Sequence, residues 1–375
     1  MSDITGYEDW PAYMATHPLL DGDEWTSLAA RLMGIPTFDK PNPYIVRTWE
    51  VSGSDLGPVP ETVEIPGLSE GKDTLTITEY AWDCGFGPRN HGYLMHLTGT
   101  NPTTLPTLMH LHSHNLIKSI GAYRDLPLSA DDHCEQAEIA RHYRQGQSAT
   151  LATLAALKGH AVFCPDTFSW GARRFTLDSP RLLPYVDLLS AADSPLWRRY
   201  DDLAMFHEHI AAKASIDLGT TYPGMIAYDD LISLDIARAL LGSTPAVMGH
   251  SGGGGRATNL SALCPDISRV GVLNMMTTLA GLLPDHVATH SWGVHIPGLA
   301  RVSDLPDLAA NRRKADLFVL YGLRDALFPA QGMSDAHNRL TRLFTDQPGH
   351  YTAQFLDCDH DLTPEGMAAA LTWLG

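Results

Sequence analysis

Gly249-His250-Ser251-Gly252-Gly253 fits a G-x-S-x-G spacing and follows directly on the apolar run Ala246–Met248. A serine in that place suits nucleophilic attack. The turn between a strand and a helix forces its backbone into strained angles. Its neighbours two residues away must then be nearly free of side chain so that strand and helix can approach. Gly249 and Gly253 meet that need. The N–H of Gly252, at the start of the following helix, would face negative charge developing on a substrate oxygen. A phosphate cradle is the competing reading of such a run, but the Lys of a G-x-x-x-x-G-K-[ST] loop is missing.

A serine alone is inert near neutral pH; it needs a base, and the base needs an orienting carboxylate. In chain order Ser, Asp, His, the candidates are Asp325, after the apolar run Leu317–Tyr321, and His360, after Tyr351–Leu356. His350 precedes its strand, and Asp304 and Asp307 precede theirs, which places all three at the wrong edge of a parallel sheet. A second oxyanion donor is expected from His110-Leu111-His112-Ser113-His114-Asn115, with the backbone N–H of His114 or Asn115 as the candidate. The alternate histidines His110, His112 and His114 also resemble the start of an H-x-H-x-D-H metal site. The Asp that would complete it is absent, so the leading reading contains no metal and no cofactor. His250, Trp170, His290, Trp292 and Met275 are candidates to line a substrate pocket, with Trp197 and Met276 as weaker ones.

The elements that must position these residues alternate. Strand-like runs occur at Thr74–Trp82, Gly92–Leu97, Thr107–His112, Ala161–Cys164, Ala246–Met248, Val270–Asn274, Leu317–Tyr321 and Tyr351–Leu356. Helical patterns fall between them at Cys134–Leu157, Ile226–Leu241, from about Arg256, near Met333–Phe344 and near Pro364–Leu374. This predicts an α/β fold: a mainly parallel central sheet with an antiparallel N-terminal edge and helices on both faces. Residues 1–70 are read as an N-terminal extension, irregular with short helices, and 71–375 as the main domain. Residues 167–220, which hold Pro180, Pro184, Pro195 and an amphipathic helix around Leu196–Leu218, read as a cap-like insertion.

Composition removes several function classes. Lys plus Arg number 26 against 43 Asp plus Glu, a net charge of −17 that disfavours both a nucleic-acid surface and an anionic membrane face. The five cysteines are scattered and lack CxxC spacing, which argues against a disulfide framework or a thiolate zinc site. The first 25 residues carry six acidic residues and no basic region ahead of an apolar run, so they are not read as a secretory signal. The expectation is a soluble, cytoplasmic protein acting on a small molecule, with a homo-oligomer left open.

The elbow and the Ser–Asp–His order together resemble the α/β-hydrolase superfamily, within it the dienelactone hydrolase and acetyl (xylan) esterase branch. Further stretches are similar to that branch: Leu157 through Asp166 followed by Phe168-Ser169-Trp170-Gly171-Ala172-Arg173, then Gly224 through Asp230, and Ile296-Pro297-Gly298-Leu299 with Asp304 and Asp307. The likeness spans roughly 74–375. Two departures stand out: the His-Gly of the oxyanion loop is His112-Ser113 here, and the following glycine is Asn115. The resemblance implies hydrolysis of a carboxylic ester through an acyl-enzyme. Lactones, thioesters, acyl transfer and C–C bond hydrolysis use the same triad and are its alternatives.

Overall fold

Nine strands form one sheet in the order β1-β2-β3-β5-β4-β6-β7-β8-β9 in the computed structural model. They are β1 Tyr44–Ser52, β2 Thr74–Trp82, β3 Asn90–Leu97, β4 Thr107–Leu111, β5 Ala161–Pro165, β6 Ala246–His250, β7 Arg269–Leu273, β8 Asp316–Gly322 and β9 Tyr351–Leu356. The structure describes residues 2–65, 73–144, 149–177, 182–191, 193–283, 285–310 and 313–375. Strands β4 to β9 run parallel, and β1, β2 and β3 join antiparallel at one edge. The mainly parallel sheet with an antiparallel N-terminal edge is therefore present. One detail differs: β5 inserts between β3 and β4, so β4, the third of the strand-like runs in the sequence, belongs to the parallel part.

Alternation along each strand builds a core on either face. Met109, Leu111, Val247, Val272 and Val319 face one cluster, packed by the helices Tyr222–Leu241, Gly252–Leu263 and Ala330–Leu343. Leu108, Met248, Leu273, Phe318 and Leu320 face the other, packed by Glu135–Tyr143, Leu151–Leu157 and Pro364–Leu374. The single helix expected over Cys134–Leu157 is two, because Cys134 and Thr150 each cap a separate start. Part of the stretch between them, 145–148, lies outside the described residues. Among the described residues no helix is long and apolar enough to cross a membrane.

The first 60 residues are more regular than expected. Helices Trp10–Thr16 and Glu24–Met33 pack into the core, and β1 extends the sheet beyond β2. β1 escapes a pattern reading because, as the outermost strand, it leaves Tyr44, Ile45 and Val46 exposed rather than alternating. Trp10 stacks on Phe86 with ring centroids 5.8 Å apart, and the Tyr228 hydroxyl donates to the Cys84 carbonyl at 2.6 Å and lies 2.7 Å from the Tyr13 hydroxyl. Tyr7 donates to the carbonyl of Arg173.

Arg173 itself joins this N-terminal region to the helix Tyr222–Leu241. Its fully buried guanidinium holds Asp229 through Nε at 2.7 Å and Nη2 at 3.1 Å, and donates to the Phe86 carbonyl at 2.8 Å. Removing one partner strands a buried charge. Arg173→Met is expected to cost about 3–5 kcal/mol of unfolding free energy, measured by urea titration; a loss below about 1 kcal/mol would show that the pair is structurally idle.

Candidate active site

All the parallel strands end on one edge of the sheet, and the candidate residues sit in the turns that follow: Ser251 after β6, Asp325 after β8, His360 after β9 and the His112–Asn115 loop after β4. Ser251 has φ +53° and ψ −120°, a region costly for any residue with a side chain. Its N–H donates to the Leu273 carbonyl at 2.8 Å, which secures the turn to β7. A Cβ on Gly253 would lie 2.0 Å from the Leu111 carbonyl oxygen, and one on Gly249 would lie 2.6 Å from it. The two glycines thus allow β4, β6 and the following helix to meet.

The structure brings Ser251, His360 and Asp325 together. His360 Nε2 lies 2.7 Å from Ser251 Oγ and Nδ1 lies 2.6 Å from Asp325 Oδ2. The other Asp325 oxygen accepts the N–H groups of Leu327 at 2.8 Å and Phe328 at 3.3 Å, so the buried carboxylate is held from both ends. The rivals are occupied elsewhere. Asp304 and Asp307 form a capping box for the helix Leu305–Ala309, and His350 pairs with Asp316 at an exposed site.

A cavity of about 610 Å³ opens over Ser251 and His360. The oxyanion candidates Gly252, His114 and Asn115 line it, as do the pocket candidates Trp170, His290 and Met275, together with Met205 from the helix Leu196–Asp217. His114 N lies 2.9 Å from where a Cβ on Gly252 would stand, so the two backbone N–H groups are neighbours. Two expected pocket residues do not reach the cavity. His250 immediately precedes Ser251 in the chain, and its side chain packs behind the site with its ring 5.2 Å from that of His360. Trp292 turns away between Ser291 and Gly293, and donates from Nε1 to His209 at 2.7 Å. Trp197 packs on Tyr143, and Met276 lies in the core.

The three alternate histidines do not converge. His110 Nε2 lies 3.5 Å from Asp125, His114 Nε2 lies 3.1 Å from Glu208, and His112 lies beyond the end of β4 with its Nδ1 3.1 Å from its neighbour's carbonyl. Among the described residues no group of three potential metal ligands forms.

Sequence reasoning missed the residues that hold the His112–Asn115 loop. Arg124 donates to the carbonyls of Ile117 at 2.7 Å and Ile120 at 2.8 Å. Asp201 accepts the N–H groups of Lys118 at 2.8 Å and Ser119 at 2.7 Å, and Glu208 takes His114 and Lys118. Asp201 and Glu208 lie seven residues apart on the buried face of one helix, a spacing visible in the sequence but read there as ordinary amphipathic polarity.

Two outcomes test this geometry. Gly253→Ala must push strand from helix, and is expected to lower the thermal midpoint by several degrees and to abolish reactivity of Ser251; a variant equal to wild type in both would refute the close approach. Burial, reinforced by the nearby His360, pushes the His250 imidazole down to about 3 from the ordinary 6.5. Between those pH values the unfolded chain binds a proton that the folded protein refuses, so stability is full above 6.5 and falls as pH drops, by at most about 1.4 kcal/mol per pH unit. His250→Asn should therefore lose less stability than wild type between pH 7 and 4 in urea titrations, and an unchanged slope would contradict it.

No family model matches the sequence, and no curated protein matches it. Solved structures do. A candidate acetyl xylan esterase from Bacteroides fragilis NCTC 9343 superposes with a TM-score of 0.58 at 12% identity, over 92% of this chain and 80% of that one. Acetyl xylan esterase 1 from Thermoanaerobacterium sp. JW/SL YS485 gives a TM-score of 0.51 at 13% identity, over 98% of this chain and 97% of that one. At such identities the likeness is one of fold. By strand order and by superposition, the chain has the α/β-hydrolase fold.

Proposed function

We propose that the protein is a serine hydrolase that cleaves a carboxylic ester of a small molecule through an acyl-enzyme. The observation that carries this reading is the continuous relay from Ser251 Oγ through His360 to the buried Asp325, at 2.7 and 2.6 Å, with Ser251 and His360 lining the cavity. Ser251 Oγ attacks the ester carbonyl while its proton passes to His360 Nε2, and Asp325 stabilises the imidazolium through Nδ1–H. The carbonyl oxygen becomes an oxyanion facing the N–H groups of Gly252 and His114, with Asn115 completing the turn that presents the second. Collapse breaks the bond to the leaving alcohol, which takes the proton from Nε2. Water then gives a proton to His360 Nε2 and attacks the acyl-serine; collapse breaks the acyl bond to Ser251 Oγ, which takes that proton back, and the acid leaves. The reaction needs no cofactor.

The cavity is of a size that takes a small-molecule ester, and its walls combine Trp170, Met205, Met275 and Phe328 with the polar Asn115, Ser291 and Asn259. We assign the same site to a cytoplasmic enzyme of small molecules, a setting supported by the five cysteines, all of which are free thiols.

A fluorophosphonate probe tests the assignment directly. Stoichiometric labelling mapped to Ser251 is expected, with hydrolysis of p-nitrophenyl acetate falling by roughly four to six orders of magnitude in kcat in Ser251→Ala. Labelling elsewhere, or hydrolysis that survives Ser251→Ala and disappears with a chelator, would overturn it.

A further inference from the structure

The helix Leu196–Asp217 falls within the stretch that the sequence suggests is a cap-like insertion, of which 178–181 and 192 lie outside the described residues, and it places a carboxylate at the junction of both walls of the cavity. Glu208 is 2% exposed and receives four groups. Its Oε2 takes His114 Nε2 at 3.1 Å and Lys118 Nζ at 2.5 Å, and its Oε1 takes Ser291 Oγ at 2.7 Å and the Trp292 N–H at 2.8 Å. His114 and Lys118 lie in the loop after β4; Ser291 and Trp292 lie in the segment that closes the opposite side.

The loop needs such a hold. Asn115 and Leu116 have φ of +48° and +58°, two consecutive left-handed residues without a glycine. That conformation costs roughly 1–3 kcal/mol per residue and persists only where the surroundings fix it. Within the turn, Ile117 N–H donates to the His114 carbonyl at 3.2 Å and Leu116 N–H donates to His114 Nδ1 at 3.1 Å. With Nδ1 accepting, the proton of the neutral ring sits on Nε2 and points at Glu208. Burial, against the pull of Glu208, keeps this imidazole below its ordinary pKa, in line with a neutral ring. The ring of His114 is thus clamped at both nitrogens, and its own backbone N–H is the one beside Gly252.

We propose that Glu208 is a positioning residue for ester hydrolysis: through the ring of His114 it fixes the second oxyanion donor. The proposal rests on the reading of Ser251 as nucleophile with Gly252 and His114 as donors. A donor held in place stabilises the oxyanion more than the neutral ester, so its loss falls on kcat rather than KM.

Glu208→Gln keeps the size and alters the acceptor. With p-nitrophenyl acetate its kcat is expected to fall about 10- to 100-fold, with KM within about threefold of wild type. His114→Ala removes the ring, keeps the backbone N–H, and leaves the ion pair of Glu208 with Lys118 intact, so it remains a test if Glu208→Gln fails to fold. It should lower kcat by about tenfold or more on its own. If Glu208 acts through that ring, the double variant is no slower than the slower single variant. Unchanged kcat in His114→Ala, or single-variant losses that multiply in the double variant, would overturn the role of Glu208 and leave the Ser251 reading standing. Hydrolysis that persists in Ser251→Ala would instead remove both.

Discussion

The strained turn at Ser251 sets the terms for everything around it. Its backbone lies at φ +53° only because β6 ends abruptly, the next helix begins at once, and two glycines let that helix sit almost on the carbonyl of Leu111. The N–H bond to Leu273 then ties the turn to the neighbouring strand. A parallel sheet is what makes this arrangement productive: β4, β6, β8 and β9 all deliver their following residues to the same edge, so four separated segments meet over one cavity. No local sequence could do that by itself. The strain belongs to the turn, and the registration of neighbouring strands resists its relaxation.

The upper part of the site depends on a different kind of interaction. Three carboxylates outside the Ser–His–Asp relay, Asp166, Asp201 and Glu208, accept backbone or side-chain donors from the residues between His114 and Ala122. Asp166 also accepts the Ala172 N–H at 2.8 Å, with Gly121 and Gly171 drawn so close that a Cβ on either would collide with it. Against the effect of burial, Lys118 and His114 hold the Glu208 carboxyl well below the usual range. Buried acceptors of this kind fix a loop in one conformation because every alternative leaves a desolvated charge unpaired. Apolar packing alone would let such a loop slide.

The contrast explains what could be read from the sequence. The meeting of Ser251, Asp325 and His360 was legible because each comes within a few residues of the end of a strand-like run, and strand ends in a parallel sheet lie at one edge. The strands β2 and β9 were legible to the residue, since their patterning is local. β1 was not, because an edge strand answers to its partner and leaves its own apolar residues in water. His250 and Trp292 miss the pocket although Ser251, Ser291 and Gly293 beside them line it, because side-chain direction reverses from one residue to the next in a strand or tight turn. Glu208 was missed for another reason: its partners lie 83 to 94 residues away, so its spacing from Asp201 on one helix face says nothing of what the two carboxylates hold.

The aromatic residues near the N-terminus carry a consequence for how the protein is made. Tyr7 is joined to Arg173 across 166 residues and Tyr13 to Tyr228 across 215, while Trp10 is wholly enclosed. During synthesis those rings leave the ribosome long before the segments that cover them exist. For that interval they are sticky, unsatisfied surface, and the chain must be shielded or kept from neighbours until the helix Tyr222–Leu241 emerges. Closure of this region is therefore a late event in biogenesis.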